Sequence, residues 1–418
     1  MTEPGAAPAG RRDPYAALRH RNFRWYILSA FVVTLGSQLQ AVVVGWQVYA
    51  ITRDPLSLGL MGLAEALPFI ACALPAGYLA DRHDRRALCV AALALLALCS
   101  LGLLAFSSSP ATIGRVGVWP IYGIIFISGI ARSVLQPARQ ALGAELVPRS
   151  IYQSAIAWRS SSWQTAAVLG PAVGGLLYGF AGPVVAYGTA SALMVLGLAG
   201  FLTIRYVPGP RELLDAPIME GLLTGLRFVF HQPVILGALS LDLFSVFLGG
   251  AEALLPVFAA DILKVGPQGL GILRAAPAAG AVVMGMYLAH RPPIERAGRT
   301  MLVAVGVFAI AIVGFGLSRN FWLSLALLAV SGMADNISVV IRSTLLQVLT
   351  PPEMLGRVSS VNSVFIGSSN ELGAFESGTM ARLIGPVPTV VFGGVASLVV
   401  VVLTARLVPQ LRRLGRIT

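Results

Sequence analysis

Charged side chains interrupt the long apolar stretches of this chain at Glu65, Arg132, Arg159, Asp242, Glu252, Arg274, Asp335, Glu371 and Glu376. At the centre of a membrane helix each costs roughly 2.5–3.5 kcal/mol on insertion scales. A charge kept at that cost is paired, set in a water-filled cavity, or used in the chemistry. A carboxylate removed from bulk water suits proton uptake and release, and Asp242, Asp335 and Glu371 are the candidates for it. The alternative for each is a permanently paired structural charge. Arg159 and Glu252 lie near the ends of their stretches, where long side chains reach the interface. His20, His83, His231 and His290 all fall in or near polar loops, so no histidine relay is expected inside the membrane. The aromatics Trp46, Tyr49, Trp158, Trp163, Phe244, Phe247 and Phe365 either line a cavity for a bulky substrate or serve as packing and interface anchors.

The elements that position these residues follow from composition. Of 418 residues, 56% are hydrophobic and 11% charged, and the mean hydropathy is +0.79. Soluble domains carry about 25% charged residues, so the chain reads as an integral membrane protein. Apolar runs of about 20 residues mark membrane helices. Twelve are expected: 23–50, 57–80, 87–107, 117–139, 153–180, 184–204, 233–258, 268–289, 300–318, 322–344, 358–382 and 389–407. The runs are continuous, whereas barrel strands would alternate. Cys72, Cys89 and Cys99 lie within them as packing residues. The first 22 residues lack an apolar core and read as a polar tail rather than a secretory signal.

Lys264 is the only lysine, and the arginines sit between the runs rather than in basic, aromatic-rich patches, so no nucleic-acid partner is expected. One set of loops holds most of them, Arg342 being counted in that set. The opposite set holds Arg53, Arg115, Lys264, Arg319 and Arg382. The positive-inside rule therefore places both termini in the cytoplasm. The domain reading is a cytoplasmic tail (1–22), a six-helix bundle (23–204), a linker with a short amphipathic helix (205–232), a second six-helix bundle (233–407) and a cytoplasmic tail (408–418). The halves repeat each other. One constant offset aligns Ser128 and Gly129 with Ser331 and Gly332, Arg139 with Arg342, Gly170 with Gly373, and Gly175 with Gly378. Duplicated six-helix halves are a transporter architecture.

Residues 77–86, GYLADRHDRR, resemble the loop signature of the major facilitator superfamily, with Gly77, Asp81, Arg82, Arg85 and Arg86 in its key positions and Asp84 where a glycine is usual. Asp81 sits at a helix C-terminus, where the dipole disfavours an acid, so it needs a positive partner. The fifth run contains LGPAVGG, which is similar to the antiporter motif of that superfamily at Gly170, Pro171, Gly174 and Gly175. A plain small-residue packing face is the other reading of this stretch. Residues 20–59 and PARQALGAELVPRS resemble the drug- and siderophore-exporting branch, with its enterobactin-exporter-like and macrolide-efflux members.

That resemblance implies an all-α fold of twelve helices in two pseudo-symmetric bundles, resident in the bacterial cytoplasmic (inner) membrane. It implies a monomeric secondary exporter that moves a small organic molecule, a siderophore or drug-like compound, out by proton antiport without a cofactor. Lipid or lysophospholipid translocation by the same fold is the alternative. A membrane-embedded enzyme or sensor is a third class, against which stand the absent Walker A, HExxH and GxSxG patterns. Finally, GLAEALP (62–68) aligns with GILRAAP (271–277), so Glu65 meets Arg274, while Arg132 meets Asp335. The expectation is two alternating locks across the halves: Glu65–Arg274 in the outer part and Arg132–Asp335 in the inner part. Local pairing within each half is the competing expectation.

Overall fold

The computed structural model describes residue 13 and residues 15–206, 218–292, 294–351 and 353–415. After a 3-10 turn, the first half runs α1 (Arg21–Thr52), α2 (Pro55–Arg82), α3 (Arg85–Ser107), the short α4 (Pro110–Val116), α5 (Trp119–Glu145) and α6 (Tyr152–Leu202). Helix α7 (Ile218–His231) follows. The second half runs α8 (Pro233–Leu248), α9 (Ala251–Val257), α10 (Gly266–Ala289), α11 (Ala297–Leu317), α12 (Phe321–Leu349), α13 (Leu355–Ile384), α14 (Pro386–Leu407) and the short α15 (Pro409–Arg412).

Among the described residues, ten helical stretches are long and apolar enough to cross a bilayer, the one from Pro233 to Ile262 spanning α8 and α9. The 51-residue α6 makes two crossings, because Gly182 inside it adopts φ 84° and reverses the chain. Helix α13, 30 residues long, is more polar than the rest and supplies the twelfth crossing. Gly385, with φ 93°, makes the equivalent turn between α13 and α14. Each of these glycines precedes a proline, and the two lie at the repeat offset. Only glycine takes such backbone angles without strain.

Local chemistry sets several helix starts. The Asp54 carboxylate accepts the Leu56 N–H at 3.0 Å and caps α2 ahead of Pro55. Asp84 accepts from the N–H groups of Arg86 (2.8 Å) and Ala87 (3.4 Å), so the residue that replaces the usual loop glycine is the N-cap of α3. Asn320 caps α12 in the same way.

The duplication is visible in packing. In the first half Gly129 of α5 lies against α2, and a Cβ there would stand 2.7 Å from the Glu65 carbonyl oxygen and 2.8 Å from Pro68. In the second half Gly332 of α12 lies against α10, and a Cβ would overlap the Pro277 carbonyl. The halves join along two seams, α2 on α13 and α6 on α10. Gly378 meets Gly59 in the first seam, and Gly175 meets Gly271 in the second; a Cβ at Gly378 or Gly175 would come within 2.7 Å of the facing glycine Cα. Small residues let two membrane helices approach this closely. The motif LGPAVGG thus packs α6 on both sides. Gly170 and Gly174 sit on α1 at Gln38 and Leu39, and Gly175 sits on α10.

Two expectations change. The seventh run does not end at residue 258. It breaks at Gly249–Gly250, resumes as α9, and continues through a π-turn over Phe258–Ile262, where Leu263 N–H donates to the Phe258 carbonyl at 2.7 Å. Arg342 is not a loop arginine. It is buried in α12 in an ion pair with Asp242 of α8.

A charged cluster between the two halves as the candidate functional site

Glu65, the eleventh residue of α2, and Arg132, the fourteenth of α5, both lie near the middle of their helices. They form an ion pair within the first half. The cause is Gly129, one turn before Arg132. Without a Cβ it lets α5 settle on the α2 backbone at Glu65, and the guanidinium lands on the carboxylate. The expected bridges Glu65–Arg274 and Arg132–Asp335 are therefore not formed in this structure. Local pairing takes their place in the first half.

The second half carries the same scaffold with the charges reversed. Arg274 stands three residues before Pro277, as Glu65 stands three before Pro68, and Asp335 stands three after Gly332, as Arg132 follows Gly129. Yet Arg274 and Asp335 are not within ion-pair distance, and Arg274 has no carboxylate within 4.0 Å among the described residues. Arg274 and Arg132 instead both act electrostatically on Glu371 of α13. Glu371 reaches across the α2–α13 seam, where its backbone oxygen lies 3.3 Å, and its Oε2 3.9 Å, from the position a Cβ would take at Gly62. Helices α2, α5, α10 and α13 thus bring two carboxylates and two guanidiniums to one place between the halves. The Arg132 side chain is 47% exposed and that of Glu65 22%, so the pair is only partly enclosed by protein.

Asp242 has a different setting. Its side chain is 9% exposed and that of Arg342 6%. A pair so enclosed holds α8 to α12. Its repeat counterpart is weaker: Arg139 Nη1 lies 3.4 Å from Thr34 Oγ1, joining α5 to α1.

Sequence reasoning missed a third set of charges at the face opposite the termini. Asp261 Oδ2 accepts from the Tyr49 hydroxyl, and its Oδ1 lies 3.2 Å from Arg53 Nη1. Arg382 lies 3.3 Å from Asp54. These bonds join the halves there. The π-turn presents Asp261, which fell just beyond the expected span, and no pattern in the sequence marks such a turn. Tyr49, considered above as a cavity aromatic, is a hydrogen-bond donor in this clamp.

At the terminal face Arg85 pairs with Glu145, which also accepts from the Tyr206 hydroxyl, and Arg86 donates to the Leu202 carbonyl at 2.7 Å. These loop arginines tie α3 to the ends of α5 and α6. Gly77 and Arg82 lie in the last two turns of α2. The Asp81 side chain lies outside the described residues. Among the described residues, no group of histidine, cysteine and acidic side chains has metal-site spacing.

A model of the family described as transmembrane secretion effectors matches residues 12–414. The enterobactin exporter of Shigella flexneri is 27% identical over 396 residues, which span 94% of this chain and 93% of that protein. The enterobactin exporter of Escherichia coli O1:K1 / APEC is 27% identical over 395 residues, with the same coverage. Among solved structures, a bacterial homolog of the human lysosomal transporter Spinster, inward-facing and occupied, superposes with a TM-score of 0.72 at 14% identity, covering 96% of this chain and 99% of that one. A D-xylose–proton symporter gives 0.70 at 17% identity, covering 94% and 99%. The likeness to these structures establishes the fold, and the family match establishes the class: the chain belongs to the transmembrane secretion effector family of the major facilitator superfamily, and is a multi-pass membrane transporter rather than an enzyme.

Proposed function

We propose that the protein is a proton-coupled exporter of a small, polar organic molecule of the siderophore or drug-like kind. In this reading it resides in the cytoplasmic membrane with both termini inside, its two six-helix halves being joined by the 205–232 linker. The relatives support the substrate class, since they are enterobactin exporters of similar length. The observation that carries the coupling is Glu371, which crosses the seam between the halves and lies under the influence of Arg132 and Arg274.

The proposed sequence of events has three steps. With Glu371 ionised, Arg274 is held toward it and away from Asp335, its partner by symmetry. Protonation of Glu371 removes that attraction, and Arg274 turns to Asp335 within its own half. The seam between α2 and α13 then loses its charge tether, and the halves rock past each other. Deprotonation on the other side restores the first state. A carboxylate without a permanent partner can take part in such an exchange, whereas Asp242, locked to Arg342 in a closed setting, serves structure. The Asp261 clamp at the opposite face would be made and broken in the same cycle, and Asp81 would act at the terminal face. Arg132, partly exposed beside Glu65, would meet an anionic or hydrogen-bonding substrate by exchanging that partner for it.

Deleting the gene and profiling metabolites in cells and medium tests the substrate reading. Retention of a siderophore inside the deletion strain is expected. An unchanged profile of siderophores and drugs, together with altered lipid distribution between the leaflets, would replace the reading with lipid translocation.

A further inference from the structure

Away from the central cluster, a strongly basic cavity lies at the terminal face of the second half. Arg296 and Arg299, at the start of α11, and Arg412 and Arg413, at the end of α15, line a pocket of about 510 Å³ with Leu414 and Gly415. All four arginines are exposed. None has a carboxylate within 4.0 Å among the described residues.

Four guanidiniums around one hollow repel each other, so something must hold them there. The backbone does. The Ala297 N–H donates to the Gly415 carbonyl at 3.3 Å, and the Gly298 N–H to the Leu414 carbonyl at 3.4 Å. Gly298 leaves room for the Leu411 carbonyl, which any Cβ would overlap, and the Leu411 side chain is fully buried. These bonds answer N–H groups that the first turn of α11 leaves open. They also fix Arg412 and Arg413 beside Arg296 and Arg299.

The same region of the first half is built differently. There Glu145 answers Arg85, and the Leu202 carbonyl answers Arg86. The two arginines at the start of α3 thus have partners within the protein, whereas the four around this pocket have no carboxylate within reach among the described residues. The surroundings indicate what partner these four meet. Further along α11, Val303 and Ile310 are strongly exposed, as is Leu407 at the end of α14. These apolar surfaces face lipid, which puts the pocket at headgroup level.

We infer that this pocket binds the phosphate group of an anionic phospholipid headgroup. Guanidinium forks match phosphate oxygens two at a time, and basic pockets at headgroup level take such lipids. The inference is independent of substrate and coupling.

The test uses the full-length protein purified in a neutral detergent, with phosphatidylglycerol titrated and bound lipid counted by native mass spectrometry. The variant Arg296→Gln/Arg299→Gln/Arg412→Gln/Arg413→Gln is compared with a control carrying Arg24→Gln/Arg205→Gln/Arg227→Gln/Arg291→Gln, four exposed arginines on the same face. The pocket variant should lose its tightest phosphatidylglycerol, with apparent affinity at least about tenfold lower, while the control keeps it. Phosphatidylcholine should not bind tightly to either. Millimolar inorganic phosphate should compete only weakly. Competition by inorganic phosphate as strong as by the lipid would make the free anion the ligand and overturn the lipid assignment. Equal losses in the two variants would reduce the effect to general surface charge and overturn the site, as would unchanged binding in the pocket variant. Thermal unfolding of both variants in the same detergent guards against a folding defect, and a misfolded quadruple variant is replaced by the pair Arg299→Gln/Arg412→Gln, read against the same outcomes.

Discussion

The two ion pairs inside the bundles, Glu65–Arg132 and Asp242–Arg342, should respond in opposite ways to neutralisation. Asp242 and Arg342 are 9% and 6% exposed. Replacing Arg342 with Met leaves a carboxylate shut in protein with no counter-charge, and breaking a buried pair from one side costs roughly 3–5 kcal/mol. Replacing both, as Asp242→Asn/Arg342→Met, removes the stranded charge and should return stability to within about 1 kcal/mol of the parent. Asp242→Asn strands Arg342 at a similar cost, so the double-mutant cycle should give a coupling energy of at least about 5 kcal/mol. Glu65 and Arg132 are 22% and 47% exposed, so this pair is much less enclosed than Asp242–Arg342. Neutralising Glu65 to Gln should cost about 1 kcal/mol or less. Its effect belongs in transport. Thermal unfolding of the purified variants in one detergent, followed by tryptophan fluorescence, measures the first set, and substrate efflux measures the second. Arg342→Met with parental stability would refute the structural reading of the α8–α12 pair. Glu65→Gln that unfolds as readily as Arg342→Met would refute the claim that the first pair is the less enclosed of the two.

Other outcomes follow from the same contacts. Gly332→Ala drives a methyl into the Pro277 carbonyl and should lower the unfolding temperature by several degrees, whereas Gly306→Ala, with no described atom within 4 Å, should be neutral or slightly stabilising in the same scan. Asp261→Asn weakens the clamp to Tyr49 and Arg53; cysteines placed at Asp54 and Arg382 should then cross-link more slowly, and an unchanged rate would show that the clamp does not hold that face. Asp81→Asn should fold normally and transport slowly; parental efflux from that variant would remove Asp81 from the gate.

Much of the architecture was legible because membrane helices announce themselves one at a time. Apolar runs gave the spans, Gly-Pro at residues 182–183 and 385–386 marked equivalent turns, and the Gly129–Gly332 repeat marked equivalent packing. The pairing of charges was harder to read. Glu65 and Arg274 occupy equivalent positions, and symmetry made them look like partners. Equivalent positions are not neighbours, however, and what brings Arg132 to Glu65 is Gly129, one turn before Arg132 on α5, whose closeness to α2 is a property of packing. Arg342 looked like a loop charge because it lies seven residues from the end of α12, but α8 covers it. Asp261 was invisible for a similar reason: a π-turn carries it back to the seam.

Proton drive in the absence of Glu371 is the measurement that bears most directly on the proposed mechanism. The protein and its Glu371→Gln variant are reconstituted into liposomes, and uptake of the labelled compound that the deletion strain retains is followed with and without a pH gradient, alongside exchange of labelled for unlabelled compound. Glu371→Gln should still exchange substrate, because the site and the moving halves are intact, but a pH gradient should no longer drive accumulation. Accumulation driven by the gradient at the parental rate in that variant would contradict the account.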